Sequence, residues 1–133
     1  MISNQWDVVR VPFPFTDRAA VKKRPALVVS ARSFNTHAAH TVMVMITKRD
    51  HSVWPSDYDV RDWTAAGLKF PSWVRMKFFT IENSLIIDVI GRFQTVDITG
   101  FKAAAQPVLW YNPEELAAAP PVAAEAHRGT IAP

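Results

Sequence analysis

Lys22-Lys23-Arg24-Pro25-Ala26-Leu27-Val28-Val29-Ser30 decides how this 133-residue chain is read. Pro25 to Ser30 is almost continuously apolar, the pattern of a strand covered on both faces. The three cations before it lie at that strand's entrance, and Pro25 biases Arg24 toward extended backbone. A buried strand therefore opens onto a cluster of positive charge.

Neighbouring segments repeat the strand pattern. In Asp7-Val8-Val9-Arg10-Val11-Pro12-Phe13, Val9, Val11 and Phe13 share one face and Val8 and Arg10 the other. Pro12 and Pro14 place the end of this strand at an edge or a bulge. Thr41 to Thr47 is a third strand, Asp57 to Val60 a short one, Trp73 to Phe79 an alternating one and Leu85 to Arg92 another. Ser33-Phe34-Asn35 opens a short irregular or single-turn segment, and Asp62 to Gly67 reads as one helical turn stopped by its glycine. Gly91 marks a bulge or a close backbone approach. Ile98, Phe101, Ala105 and Leu109 recur at helical spacing, with Thr95 as the expected cap and Pro107 expected to kink or end the helix early. These elements predict a mainly β fold, a small antiparallel barrel with a helix packed on it. Residues 1–111 form the expected domain. Residues 112–133, rich in alanine and proline, are expected to be a flexible tail or an arm.

Composition narrows the chemistry. There is no cysteine, so neither disulfides nor thiolate chemistry are available, and a reducing compartment fits. No secretion signal stands at Met1 to Asp7, and no apolar run is long enough to span a bilayer, so a cytoplasmic protein is expected. The net charge of +3 permits a polyanionic partner without requiring one. His37 and His40 lack a carboxylate to complete a metal set and read as exposed polar residues. There is no glycine-rich phosphate loop, dinucleotide fingerprint or nucleophile elbow, hence no expected cofactor.

Cations and hydroxyls at strand ends remain. Arg24 precedes the buried strand, Thr47 closes the third, and Arg75 lies inside Val74-Arg75-Met76. Guanidiniums grip phosphates in a bidentate fork, and two of them with a hydroxyl can stabilise a phosphorane. RNA supplies its own nucleophile, so cleavage of this kind needs no metal and no covalent residue. Each residue also has a plain structural reading. Arg24 can be a loop arginine, Thr47 a turn-bonding residue, and Arg75 the ion-pair partner of a carboxylate such as Asp88. Trp54, Trp63 and Trp73 can stack on bases or fill the core.

The ordered set of stretches resembles the PemK/MazF family of toxins from toxin–antitoxin systems. It comprises Asp7-Val8-Val9, Val11 to Asp17, Lys22 to Ser30, Phe34-Asn35, Ile46-Thr47, Val74-Arg75, Phe79-Thr80-Ile81 and Ile90-Gly91-Arg92, spread over roughly residues 6 to 110. The resemblance implies an SH3-like barrel with a terminal helix, usually homodimeric. It implies metal-independent cleavage of single-stranded RNA to a 2′,3′-cyclic phosphate and a 5′-hydroxyl, with a small antitoxin as partner. By position, Arg24 corresponds to the family's catalytic arginine, Thr47 to its catalytic threonine or serine, and Arg75 to a second arginine of some members. Asp17, Lys22, Lys23, Lys48, Arg49, His51 and Lys77 are the expected RNA contacts.

Two positions depart from the pattern. Trp6 stands where many members have glycine, and Lys77 where some carry aspartate as a candidate base. Asp17, His51 or solvent alone remain as proton acceptors. A non-cleaving RNA-binding module of the same fold is the first alternative. The second is an inhibitor of DNA gyrase, because the related CcdB toxins share the fold.

Overall fold

The computed structural model describes residues 1–13, 22–50 and 52–121. Six strands form one antiparallel sheet: β1 (Asp7–Phe13), β2 (Lys22–Val28), β3 (His40–Lys48), β4 (Tyr58–Asp59), β5 (Ser72–Glu82) and β6 (Asp88–Arg92), in the order β4-β5-β3-β2-β1-β6. The sheet curls as a half-barrel, and β4 and β6 are not paired to each other among the described residues.

The alternation read in β1 explains why both sheet faces are dry. Val8 joins Leu27, Val44 and Val74 on one face, where Phe93, Phe101 and Ala105 cover them. Val9 and Val11 join Ala26, Val28, Met43, Ile81 and Ile86 on the other. Ala26, Leu27 and Val28 are fully buried, as expected for a strand covered twice. Phe13 departs from its face-mates: it is 40% exposed, at the end of β1.

Helix α1 (Arg32–Ala38) replaces the expected single turn, and its buried Asn35 donates to the Ser3 and Ser30 carbonyls. The long helix α2 (Thr95–Leu109) starts differently from expectation: Gln94 holds the cap position and Thr95 is the first helical residue. Pro107 does not end it. Proline removes one N–H and leaves the carbonyl four residues earlier unpaired, but Ala103 and Pro107 both face solvent, which can supply the missing donor. Beyond it, Asn112 accepts from the Glu114 and Glu115 amides and caps a short helix α3 (Pro113–Ala118), of which no residue is buried.

Asp97 fastens α2 to the sheet. Its fully buried carboxylate accepts from the Tyr58 hydroxyl at 2.6 Å and the Arg61 and Asp62 amides at 2.8 and 2.9 Å. Burial first, and then the hydrogen bond and charge of Asp97, push the Tyr58 phenol above its ordinary pKa.

The turns at residues 61–67 rest on β6 through two glycines. Gly67 has φ +75°, and a Cβ there would lie 1.9 Å from the Ile90 carbonyl oxygen; one on Gly91 would lie 2.2 Å from the Ala66 carbonyl carbon. Only glycine permits this backbone approach. It seats the segment Leu68-Lys69-Phe70 beside β2 and β3, where the second of the two cavities described below opens.

Candidate active site

The site arises where β2 and β3 part. Their ladder begins at Ala26↔Met45, while Lys22 to Pro25 stay paired to β1 alone. Pro25 has no N–H to give β3, so it is tolerated at the point of separation. Beyond that point Ile46, Thr47 and Lys48 pair only with β5. Arg24 is left on one wall of a cleft and Thr47 on the other.

Strand β5 contributes the third side. Val44 faces Phe78 but Met45 faces Arg75, so Met76 and Lys77 bulge out of the ladder. Phe13, Arg24, Thr47, Trp54, Arg75 and Lys77 thereby line one cavity of about 600 Å³. No carboxylate lines it among the described residues.

Arg24 and Arg75 are prepared differently. The Arg24 guanidinium lies 5.0 Å from the centre of the Phe13 ring, and its buried Nε has no hydrogen-bond partner among the described residues. A buried donor left unpaired costs about 1–3 kcal/mol, so this group favours an acceptor arriving in the cavity. Arg75 is already held. Its Nε and Nη2 donate to Asp57 Oδ1 and Oδ2 at 3.3 and 3.0 Å, and Nη2 donates to the Ser52 carbonyl at 2.5 Å. The rings of Trp54 and Trp73 lie 5.1 and 6.0 Å from its guanidinium carbon. Asp57 also accepts the Trp54 amide at 2.7 Å, so one carboxylate fixes both the arginine and the loop beside it. Lys77 places its ammonium 4.4 Å from the centre of the Trp54 ring.

Asp57 corrects the sequence reading. Asp88, the carboxylate considered for Arg75, instead binds Arg10, whose hydrogen bond holds the Asp88 carboxyl below its ordinary pKa. A signal for Asp57 did exist. Pairing Tyr58 with Val74 and Asp59 with Trp73 brings Asp57 beside Arg75, but a two-residue strand gives no register in advance.

The other expected contacts divide. Lys77 lines the first cavity. Lys22, Lys23 and Lys48 line a second, which also includes Arg24 and Thr47. Arg49 lines neither and lies 3.5 Å from Asp59. Asp17 and His51 lie outside the described residues. Trp63 packs against the core, whereas Trp54 is 43% exposed at the cavity. The His37 and His40 rings bond the Ser33 and Ala38 carbonyls. Among the described residues no helix is long and apolar enough to cross a membrane.

Two guanidiniums, an ammonium and a hydroxyl around one cavity, with no lining carboxylate among the described residues, suit a phosphodiester. The family model of PemK-like, MazF-like toxins of type II toxin–antitoxin systems matches residues 4–109. No curated protein sequence matches. Among solved structures, an endoribonuclease in complex with its cognate antitoxin from a mycobacterial species aligns at TM-score 0.63 and 18% identity, covering 84% of this chain and 98% of that one. MazE–MazF from Deinococcus radiodurans aligns at TM-score 0.65 and 12% identity, over 84% of this chain and 99% of that one. The Mycobacterium tuberculosis toxin MazF-mt6 aligns at TM-score 0.60 and 18% identity, over 74% and 90%. At these identities the likeness is one of fold, and it is the family model, spanning most of the sequence, that places this chain among the PemK-like, MazF-like toxins of type II toxin–antitoxin systems.

Proposed function

We propose that this toxin is a metal-independent endoribonuclease of single-stranded RNA. The observation that carries the reading is the convergence of Arg24, Thr47 and Arg75 on one cavity without a carboxylate lining among the described residues. Such a cavity attracts an anionic phosphate and repels bare metal cations.

In the reaction, the ribose 2′-oxygen forms a bond to phosphorus while the bond from phosphorus to the 5′-oxygen breaks. The 2′-hydroxyl proton passes to solvent, and the departing 5′-oxygen takes one up. The products are a 2′,3′-cyclic phosphate and a 5′-hydroxyl. Arg24, whose Nε has no partner among the described residues, binds the non-bridging oxygens as negative charge grows there. Thr47 donates its hydroxyl to a phosphate oxygen. Arg75, held by Asp57, presents its remaining Nη1 donors in a fixed direction.

Its expected partner is a cognate antitoxin; the mycobacterial and D. radiodurans structures cited above each contain one. The working form is expected to be a cytoplasmic homodimer. One observation favours a second reading, RNA binding without cleavage: no carboxylate base lines the cavity among the described residues. Incubating the pure protein with a long RNA in excess chelator separates the two. Cleavage that survives the chelator and disappears in Arg24→Ala supports the enzyme, and stable binding with no cut supports the second reading.

A further inference from the structure

Arg24, Ile46 and Thr47 line two adjoining cavities. The second, also about 600 Å³, shares those three residues and continues over Lys22, Lys23, Lys48, Lys69 and Phe70. Among the described residues five cations line it besides Arg10, which Asp88 holds, and Asp50 is the one lining carboxylate.

These cations come from β1, β2, β3 and the segment after Gly67. Most are lysines, which act as point charges and read no sequence. That distribution fits an extended polyanion. The cavity also carries an aromatic face: Phe70 is 49% exposed, and the Lys48 ammonium rests 4.1 Å from the centre of its ring. The first cavity repeats this device, with Trp54 43% exposed beneath Lys77 at 4.4 Å. Each cavity therefore holds an exposed ring with a lysine over it, and the first carries the exposed Phe13 ring as well.

We propose that the second cavity is a subsite for the RNA nucleotide adjoining the scissile phosphate, with Phe70 as the base platform and Lys48 and Lys69 as backbone contacts. The proposal rests on the reading that the neighbouring cavity holds RNA. A base stacking on Phe70 displaces the Lys48 ammonium, which then meets the adjacent phosphate. Cation–π attraction is exchanged for stacking and a charge contact. The platform is fixed before RNA arrives. Leu68 is buried, the Ser72 hydroxyl donates to the Phe70 carbonyl at 2.8 Å, the Arg49 amide donates to the Pro71 carbonyl at 3.1 Å, and the Gly67–Gly91 backbone approach holds the segment against β6. A single strand crossing from Trp54 to Phe70 brings its intervening phosphate to Arg24 and Thr47.

The test uses 2′-O-methyl oligoribonucleotides, which bind but lack the nucleophile. Their affinity for the full chain is measured against length and salt. Phe70→Ala should weaken binding of an eight-nucleotide strand about tenfold. Lys69→Ala should reduce the slope of log affinity against log salt by about 0.7. Both side chains are exposed, so unfolding midpoints should stay near wild type, and Phe34→Ala, exposed on α1, is the control that should change neither reading. Wild-type affinity and slope in both variants would overturn the subsite while leaving RNA cleavage standing. Loss of binding in the variants of a protein that cuts no ordinary RNA would uphold the subsite and overturn the cleavage reading. No RNA binding by the wild type would overturn both.

Discussion

Asp57 and Arg75 form an ion pair almost closed to solvent, with Nη2 3.0 Å from Oδ2 and side chains 1% and 11% exposed. The pair sets where Arg75 points and, through the Trp54 amide, where the adjoining loop lies. Removing one member of a buried pair leaves the other uncompensated, at about 3–5 kcal/mol. Asp57→Asn is the milder change, because it keeps the shape and one acceptor. We expect it to lower stability in denaturant unfolding and to reduce RNA turnover more than tenfold. Arg75→Ala in the Asp57→Asn background should add far less than it does alone, a coupling that a double-mutant cycle measures.

Tyr58 gives the fold an alkaline limit. Its folded-state pKa is raised, first by burial and then by Asp97. A raised pKa means that the folded chain holds this proton more tightly than the unfolded chain does. The contribution is fully present below the unfolded phenol pKa of about 10 and falls as pH rises beyond it. Stability should therefore drop above pH ~10, and Tyr58→Phe should flatten that drop. The variant should also lose about 1–3 kcal/mol at neutral pH, because the buried Asp97 carboxylate loses a donor. Denaturant titrations at several pH values check both parts.

Trp6 occupies left-handed backbone, φ +74°, and packs edge-on against Phe101 with ring centres 5.9 Å apart. The backbone asks for glycine here, and indole packing offsets the strain. Trp6→Gly and Trp6→Ala should both destabilise. Glycine should be the better of the two by about 1 kcal/mol, reversing the usual order, because alanine keeps the strain without the packing.

Gly67→Ala should cost more than about 2 kcal/mol, since the new methyl meets the Ile90 carbonyl and φ is positive. The damage should also weaken RNA binding, because this glycine seats Lys69 and Phe70. Unfolding midpoints and oligonucleotide affinity together test the connection.

Legibility in the sequence followed the length of the signal. Val9 and Val11 on one face with Val8 on the other were readable because β1 alternates over seven residues and both faces are buried. The run Ala26-Leu27-Val28 was readable for the same reason. Pro107 misled because its cost depends on whether the freed carbonyl meets solvent, which is a property of the packed helix. Thr95 misled because Gln94 precedes it in extended conformation, without a side-chain cap bond. Arg24, Thr47 and Arg75 were named from position, but their convergence depends on two register events. These are the parting of β2 from β3 at Pro25 and the bulge at Met76–Lys77. Asp57 and Phe70 were missed because a two-residue strand and a glycine-seated loop carry no periodicity.

The most direct measurement is the chemistry of the RNA ends. A long single-stranded RNA is incubated with wild type and with Arg24→Ala, both in excess chelator and both confirmed folded, and the fragments are mapped and their termini identified. We predict cuts by the wild type that leave 2′,3′-cyclic phosphate and 5′-hydroxyl ends, with turnover falling at least about a hundredfold in Arg24→Ala. Unchanged turnover in the folded variant, or fragments bearing 3′-hydroxyl and 5′-phosphate ends, would contradict the account.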